Sequence, residues 1–229
     1  LFPFPPPPFS LSSTNFHRDI VILNAGVFSS DPSAKSKQGF EVNFAVNYLG
    51  NFHLATSLIR EGIFATGSDQ KQRMIIVSSQ AHYMAYELKA ETMGKHLPDG
   101  FYASECVYGH SKALAICSFS EISRIIGPRA IFVATCPGAV ASNIQSGPTV
   151  HFILKPIATF ICNTFFKGPE HSANLLSFLS VVPLSAGQLH YYYIYKKTSP
   201  RSDAMDEANG RKIYEATEKL VASSLIKKK

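Results

Sequence analysis

Tryptophan is absent from the 229 residues, charged residues make up only 17%, and the four cysteines include no Cys-x-x-Cys pair. Cys106, Cys117, Cys136 and Cys162 stand singly, with no histidine at metal-ligand spacing. Neither a zinc site nor a disulfide scaffold is indicated, and no metal ligand is expected. Single cysteines among apolar neighbours, as in Ala115-Ile116-Cys117, read as small buried hydrophobes, and a reducing compartment is expected. Lys plus Arg exceed Asp plus Glu by 22 to 16, a net +6, and part of that excess is the terminal Lys227-Lys228-Lys229. No basic stripe carries interleaved aromatics, which speaks against nucleic-acid binding. The longest apolar stretch, Val150 to Phe166, is interrupted by His151, Lys155, Pro156 and Asn163 and is short for a bilayer span of about 20 residues. It suits a lid or interfacial helix over an apolar pocket and a plain core helix equally, and attachment to a membrane surface stays open. Leu1 to Phe9 lacks the basic start and unbroken apolar core of a secretory signal. The expected location is cytoplasmic or membrane-associated, not secreted.

What is present is enough apolar material, 45% of the chain, to bury a sizeable core, and the length fits one α/β domain most easily. Phe4 followed by Pro5 to Pro8 is a polyproline II segment similar to the short ligands of EVH1-type domains; the bland alternative is a disordered tail over residues 1–18. Residues 19–229 then form the folded domain. Asp19 to Leu23 is a β-branched run stopped by Asn24-Ala25-Gly26 and reads as a buried strand. Phe40 to Ile59 has helical spacing. Arg73 to Val77 is a second strand, closing at Ser78-Ser79, and a helix from about Val107 to Ile126 stops at Gly127-Pro128. Ala130 to Ala134 is a third strand, ending at Pro137-Gly138. Ala173 to Leu179 looks helical, Leu189 to Tyr195 strand-like, and Met205 to Ser224 an amphipathic terminal helix. The alternation means βαβ units and a parallel sheet covered on both faces, with ligands bound outside the carboxyl ends of its strands.

The sharpest chemical signal is Tyr108-Gly109-His110-Ser111-Lys112. Positions i and i+4 share a helical face, so the phenol and the ammonium point into one cleft. A phenol near its reference pKa of about 10 is a poor acid or base at neutral pH, and a nearby cation favours the phenolate. Lowering it by about three units takes roughly 4 kcal/mol, within reach of one ammonium and a cationic ring in a partly dry cleft. A lone Tyr-x-x-x-Lys is common by chance. Here it is accompanied, in order, by Leu23-Asn24-Ala25-Gly26 after a strand, Val46-Asn47-Tyr48-Leu49-Gly50 in a helix, Val77-Ser78-Ser79 at a strand end, and Cys136-Pro137-Gly138 running on to Ser142 after the third strand.

From Asp19 to near its C-terminus the chain resembles the short-chain dehydrogenase/reductase family, whose fold is a Rossmann-like doubly wound parallel sheet. Lys167 to Ala173, Ser199-Pro200 to Leu220 and Ser142-Asn143-Ile144 are similar to the branch holding the retinol dehydrogenases and the WW domain-containing oxidoreductase, although no WW domain is present. The resemblance implies an NAD(P)-dependent oxidoreductase that interconverts a hydroxyl and a carbonyl on an apolar substrate such as a retinoid or steroid. In it Tyr108 is the general acid/base, Lys112 lowers the Tyr108 pKa and bonds the nicotinamide ribose, Ser79 holds the substrate oxygen, and Asn47 anchors a proton-relaying water. Asn24, Ala25 and Gly26 stabilise the central sheet and pass the adenosine side of the cofactor. Pro137, Gly138 and Ser142 line the nicotinamide amide. His110 is a solvated residue or one lying behind the site. Family members commonly form homodimers through helices flanking the site, and no feature of this sequence decides it.

The family begins with a Gly-rich turn of the Thr-Gly-x-x-x-Gly-x-Gly kind and further strand-helix units, and Leu1 to Arg18 holds no such turn. The expectation is therefore an N-terminally truncated fold with feeble dinucleotide binding, an apolar edge along Asp19 to Leu23, and no basis for choosing NAD over NADP. A catalytically silent relative that acts by binding a partner is the alternative.

Overall fold

The structure is a computed structural model that describes residues 19–31, 33–64, 72–95, 100, 102–140 and 167–226. The Pro-rich start, Ser142 and the Val150 to Phe166 segment lie outside the described residues. Four parallel strands, β1 (Ile20–Leu23), β2 (Gln72–Val77), β3 (Ala130–Cys136) and β4 (Leu189–Tyr193), lie side by side in chain order. A short β5 (Lys196–Thr198) returns antiparallel to β4. Its Lys-Lys-Thr sequence is polar and exposed, without the apolar alternation that marks a strand, and the strand expected to run to Tyr195 ends at Tyr193.

β2 and β3 are covered on both faces, as their apolar stretches Met74 to Val77 and Ala130 to Ala134 require of central parallel strands. The register carries Ile75 beside Val133, and these two, with Ile131 and Tyr192, pack against Leu175 and Leu179 of helix α3 (Pro169–Val181). The opposite face, through Met74, Ile76, Phe132 and Ala134, forms the larger core with Phe52, Leu114, Phe119 and Ile213. Arg73 of β2 fastens α3 to the sheet by donating from Nη1 to the carbonyl of Leu179 at 2.8 Å. That places a cation at a helix C-terminus, where unpaired carbonyls favour it. β1 is the edge strand among the described residues, and its Ile20 and Ile22 are exposed. The Asn24 to Gly26 turn thus follows an edge strand, in keeping with the apolar edge expected along Asp19 to Leu23.

The expected Phe40 to Ile59 helix is present in two forms. A π-helical stretch, Phe44–Gly50, runs directly into α1 (Asn51–Arg60). The Asn51 side-chain amide donates to the carbonyls of Val46 and Asn47 at 3.3 and 3.1 Å, supplying partners where the wider turn leaves α-helical bonds unmade. Helix α2 (Ala103–Ile126) begins a turn earlier than its apolar pattern suggested, because its first turn is polar, with Ser104 and Glu105. It ends at Gly127, φ 61°, in the left-handed conformation glycine tolerates. The sheet, the π-helical stretch and the C-terminal helix α4 (Glu207–Ile226) cover it, and every residue from Gly109 to Ser123 is buried. A 3₁₀ turn, Gln80–Met84, lies across its N-terminal half.

Candidate active site

The carboxyl ends of β1, β2 and β3 open into a cavity of about 800 Å³. Asn24 and Gly26 line it from the turn after β1, Ser79 from the end of β2, Tyr108 and Lys112 from α2, and Pro137 and Gly138 from the turn after β3. The cavity is thus where an open parallel sheet is expected to bind ligand. Phe28 closes one side, edge-on to the Tyr108 ring at 5.4 Å between centroids, and Leu176 of α3 adds a further apolar wall.

Tyr108 and Lys112 do share a helical face, with Lys112 Nζ 5.7 Å from the centre of the Tyr108 ring. Ser79 Oγ caps the 3₁₀ turn by accepting from the Ala81 N–H at 3.2 Å, and it also hydrogen-bonds the Tyr108 phenol. The electrostatics of the protein alone differ from the expectation. Burial raises the Tyr108 phenol to about 12, opposed by the Ser79 hydrogen bond. Burial also lowers the Lys112 ammonium to about 8. The cleft is drier than the sequence suggested, and desolvation, not the neighbouring ammonium, sets the direction of the Tyr108 shift.

Lys112 Nζ donates to the Val77 carbonyl at 2.9 Å, which ties its long side chain to the end of β2. The ammonium passes so near Gly26 that a Cβ there would stand 3.2 Å from Nζ and 3.3 Å from Asn47 Oδ1. Asn47 is not a free polar group. Its Oδ1 accepts from the Val27 N–H at 2.7 Å, and its Nδ2 donates to the Val27 carbonyl at 2.9 Å and to Ser111 Oγ at 3.0 Å. The residue therefore clamps the chain after Gly26 to α2. Asn51 adds a bond to the Ala25 carbonyl at 3.1 Å. In the β3 turn the Gly138 N–H donates to Cys136 Sγ, with φ +82° at Gly138.

His110 faces away from the cavity. It is buried and stacked on Tyr86, ring centroids 3.7 Å apart and planes 8° apart, so it is not solvated. Desolvation lowers its pKa to about 3. Glu105, one turn before Tyr108, also lines the cavity. Its placement could have been found from the i, i+3 spacing once the helix start was moved to Ala103.

No family model matches the chain. Over 205 residues it is 29% identical to retinol dehydrogenase 14 of Mus musculus, covering 89% of this chain and 59% of that protein. Polyprenol dehydrogenase of Mus musculus is 28% identical over 201 residues, 85% of this chain and 57% of that protein. A short-chain dehydrogenase/reductase of Penicillium roqueforti is 28% identical over 128 residues, 56% of this chain and 36% of the relative. The chain is a relative of the short-chain dehydrogenases/reductases. It spans under two thirds of the length of these relatives. Among solved structures, an uncharacterized protein from Mycobacterium Paratuberculosis superposes with a TM-score of 0.62 at 20% identity, over 90% of this chain and 68% of the other. A 3-ketoacyl-(acyl-carrier-protein) reductase from Brucella melitensis, solved with NADH, gives 0.52 at 16% identity, over 78% and 67%. The fold of this relative is the Rossmann-like α/β sheet of such reductases.

Proposed function

We propose that the chain carries the acid/base site of an NAD(P)-dependent oxidoreductase that interconverts a hydroxyl and a carbonyl on an apolar substrate. The observation that supports this most is the convergence of Ser79, Tyr108 and Lys112 on one cavity at the carboxyl ends of β1 to β3. Those residues and Gly26 fit a nicotinamide nucleotide: the missing Cβ of Gly26 leaves the Lys112 ammonium room in the wall, and one of its donors is already aimed by Val77. Lys112 and Tyr108 would hold the ribose hydroxyls, Pro137 and Gly138 the carboxamide, and Asn24 to Gly26 the adenosine side. The bound nucleotide supplies or accepts the hydride.

In the carbonyl-reducing direction Ser79 Oγ donates to the substrate oxygen and fixes it beside the Tyr108 hydroxyl. Tyr108 transfers its proton to that oxygen as negative charge develops there. Lys112 stabilises the resulting phenolate, so the ammonium's contribution grows as the proton leaves. Asn47 keeps the 24–27 turn and α2 in register, and its relay of protons through a held water belongs to the same proposal. Phe28 and Leu176 favour an apolar substrate, in keeping with relatives named for retinol and polyprenol.

A second reading, a catalytically silent relative that binds a partner, is favoured by the exposed Ile20 and Ile22 on edge strand β1. Titration with NADPH and NADH, followed by calorimetry, separates the two. Micromolar binding weakened by Lys112→Ala, with turnover of an alkyl aldehyde abolished by Tyr108→Phe, supports the oxidoreductase. No heat at millimolar nucleotide overturns it. Among the described residues no helix is long and apolar enough to cross a membrane; liposome flotation tests surface attachment.

A further inference from the structure

Ser79 stands at the head of the 3₁₀ turn Gln80–Met84, a five-residue element too short to hold itself in place. Tyr83 and Met84 are exposed on it. Its support comes from a segment more than a hundred residues away in sequence. The Tyr83 hydroxyl donates to the Ser199 carbonyl at 2.8 Å. Arg201 Nη1 donates to the carbonyls of Ala85 at 2.6 Å and His82 at 3.2 Å, capping the C-terminal end of the turn. The same guanidinium grips Asp203 by a fork, Nε to Oδ1 at 2.5 Å and Nη2 to Oδ2 at 2.7 Å. With two nitrogens held on a carboxylate, the third is aimed.

The backbone N–H of Arg201 adds a bond of a different kind, donating to His82 Nε2 at 3.3 Å. An Nε2 that accepts leaves the ring proton on Nδ1, which therefore donates to the Ser79 carbonyl, 2.6 Å away. His82 is fully buried, so water does not compete for either nitrogen. Arg201 thus donates outward to Asp203 and inward to His82, and His82 in turn donates to the backbone carbonyl of Ser79, whose hydroxyl meets Tyr108.

We infer that Arg201, acting through His82, is a positioning residue that sets the direction of the Ser79 hydroxyl towards Tyr108. The inference rests on the acid/base reading of Ser79 and Tyr108. A lysine in its place keeps the charge and loses the fork, so it cannot face Asp203 and two carbonyls at once. A small rotation of the Ser79 peptide moves Oγ off the reacting oxygen, and a misplacement of about 1 Å costs on the order of 10²-fold in rate.

The test compares the intact chain with Arg201→Lys, Arg201→Met and Asp203→Asn by amide hydrogen exchange, NADPH calorimetry and steady-state reduction of an alkyl aldehyde. Expected are faster exchange over residues 79–85 in all three variants and NADPH affinity within about twofold of the parent. The kcat should fall on the order of 10- to 100-fold, with the cofactor KM unchanged. A staple that only stabilises the fold would lower Tm and leave kcat in place. Unchanged exchange over 79–85, or a kcat within twofold in a folded Arg201→Met, overturns the inference. Should the parent neither bind NADPH nor reduce the aldehyde, the oxidoreductase reading falls, while the exchange data still decide whether Arg201 holds the turn. Asp203→Asn keeps that decision available should both Arg201 variants fail to fold.

Discussion

The carbonyl oxygen of Ala81 stands 2.1 Å from the point where a Cβ on Gly109 would be built. The 3₁₀ turn that carries Ser79 therefore rests directly on the backbone of the residue after Tyr108, and two parts of the cleft meet through a missing side chain.

Gly109→Ala pits two effects of opposite sign against each other. Alanine raises helix propensity by up to about 1 kcal/mol, whereas overpacking against backbone that cannot rotate away costs about 1–3 kcal/mol. A net loss is expected, with the turn displaced and aldehyde reduction falling further than stability alone explains. Thermal melts and steady-state rates of the variant check it. A variant as stable and active as the parent would show that the turn and helix can separate freely.

Lys112 gives the cleft a pH dependence. Burial lowers its ammonium to about 8, so the free protein carries the charge below that pH and loses it above. NADPH affinity is expected to be flat below about pH 8 and to fall about tenfold per unit above it, provided the ammonium is the form that binds. Lys112→Met should bind weakly at every pH with no such break. Calorimetric titrations between pH 6.5 and 9.5 read both curves, and a parent affinity that stays flat to pH 9.5 removes Lys112 from the cofactor contact.

Much of this site is legible in the sequence because its residues sit where apolar strands stop: Asn24, Ser79 and Pro137 each follow a run whose burial could be foreseen. Tyr108 and Lys112 follow from helical spacing read together with the ordered motifs around them, since the pair by itself is common by chance. Arg201 was invisible, since a single arginine between Pro200 and Ser202 carries no periodicity and its partners lie about 116 residues earlier. The direction of the Tyr108 shift was also missed, because spacing places a cation near a phenol without telling how dry both are. The π-helical stretch depends on Asn51 side-chain bonds that no propensity encodes.

His110 couples stability to acid. Its folded pKa of about 3 lies below the reference 6.5, so the neutral ring favours the folded state. That contribution is fully present above pH 6.5 and is lost as pH falls towards 3. The slope is up to about 1.4 kcal/mol per unit. His53, His82 and His190 are lowered in the same direction, each mainly by burial, and add to it. His110→Phe keeps a ring over Tyr86 and is expected to be less acid-sensitive than the parent, by about 2 kcal/mol at pH 5. Urea unfolding at pH 7.5 and pH 5 measures the difference, and equal losses in both proteins would mean that the ring protonates without resistance.

The buried Tyr48 hydroxyl bonds Ser118 Oγ and Thr217 Oγ1, each at 2.6 Å, and so joins the π-helical stretch, α2 and α4 at one point. Its partner Thr217 comes 169 residues later in the chain. During synthesis, then, Tyr108 and Lys112 emerge on a helix whose last wall has not yet been made, and the core behind them stays unsealed until α4 leaves the ribosome. The cleft is set up late, by residues that never touch it.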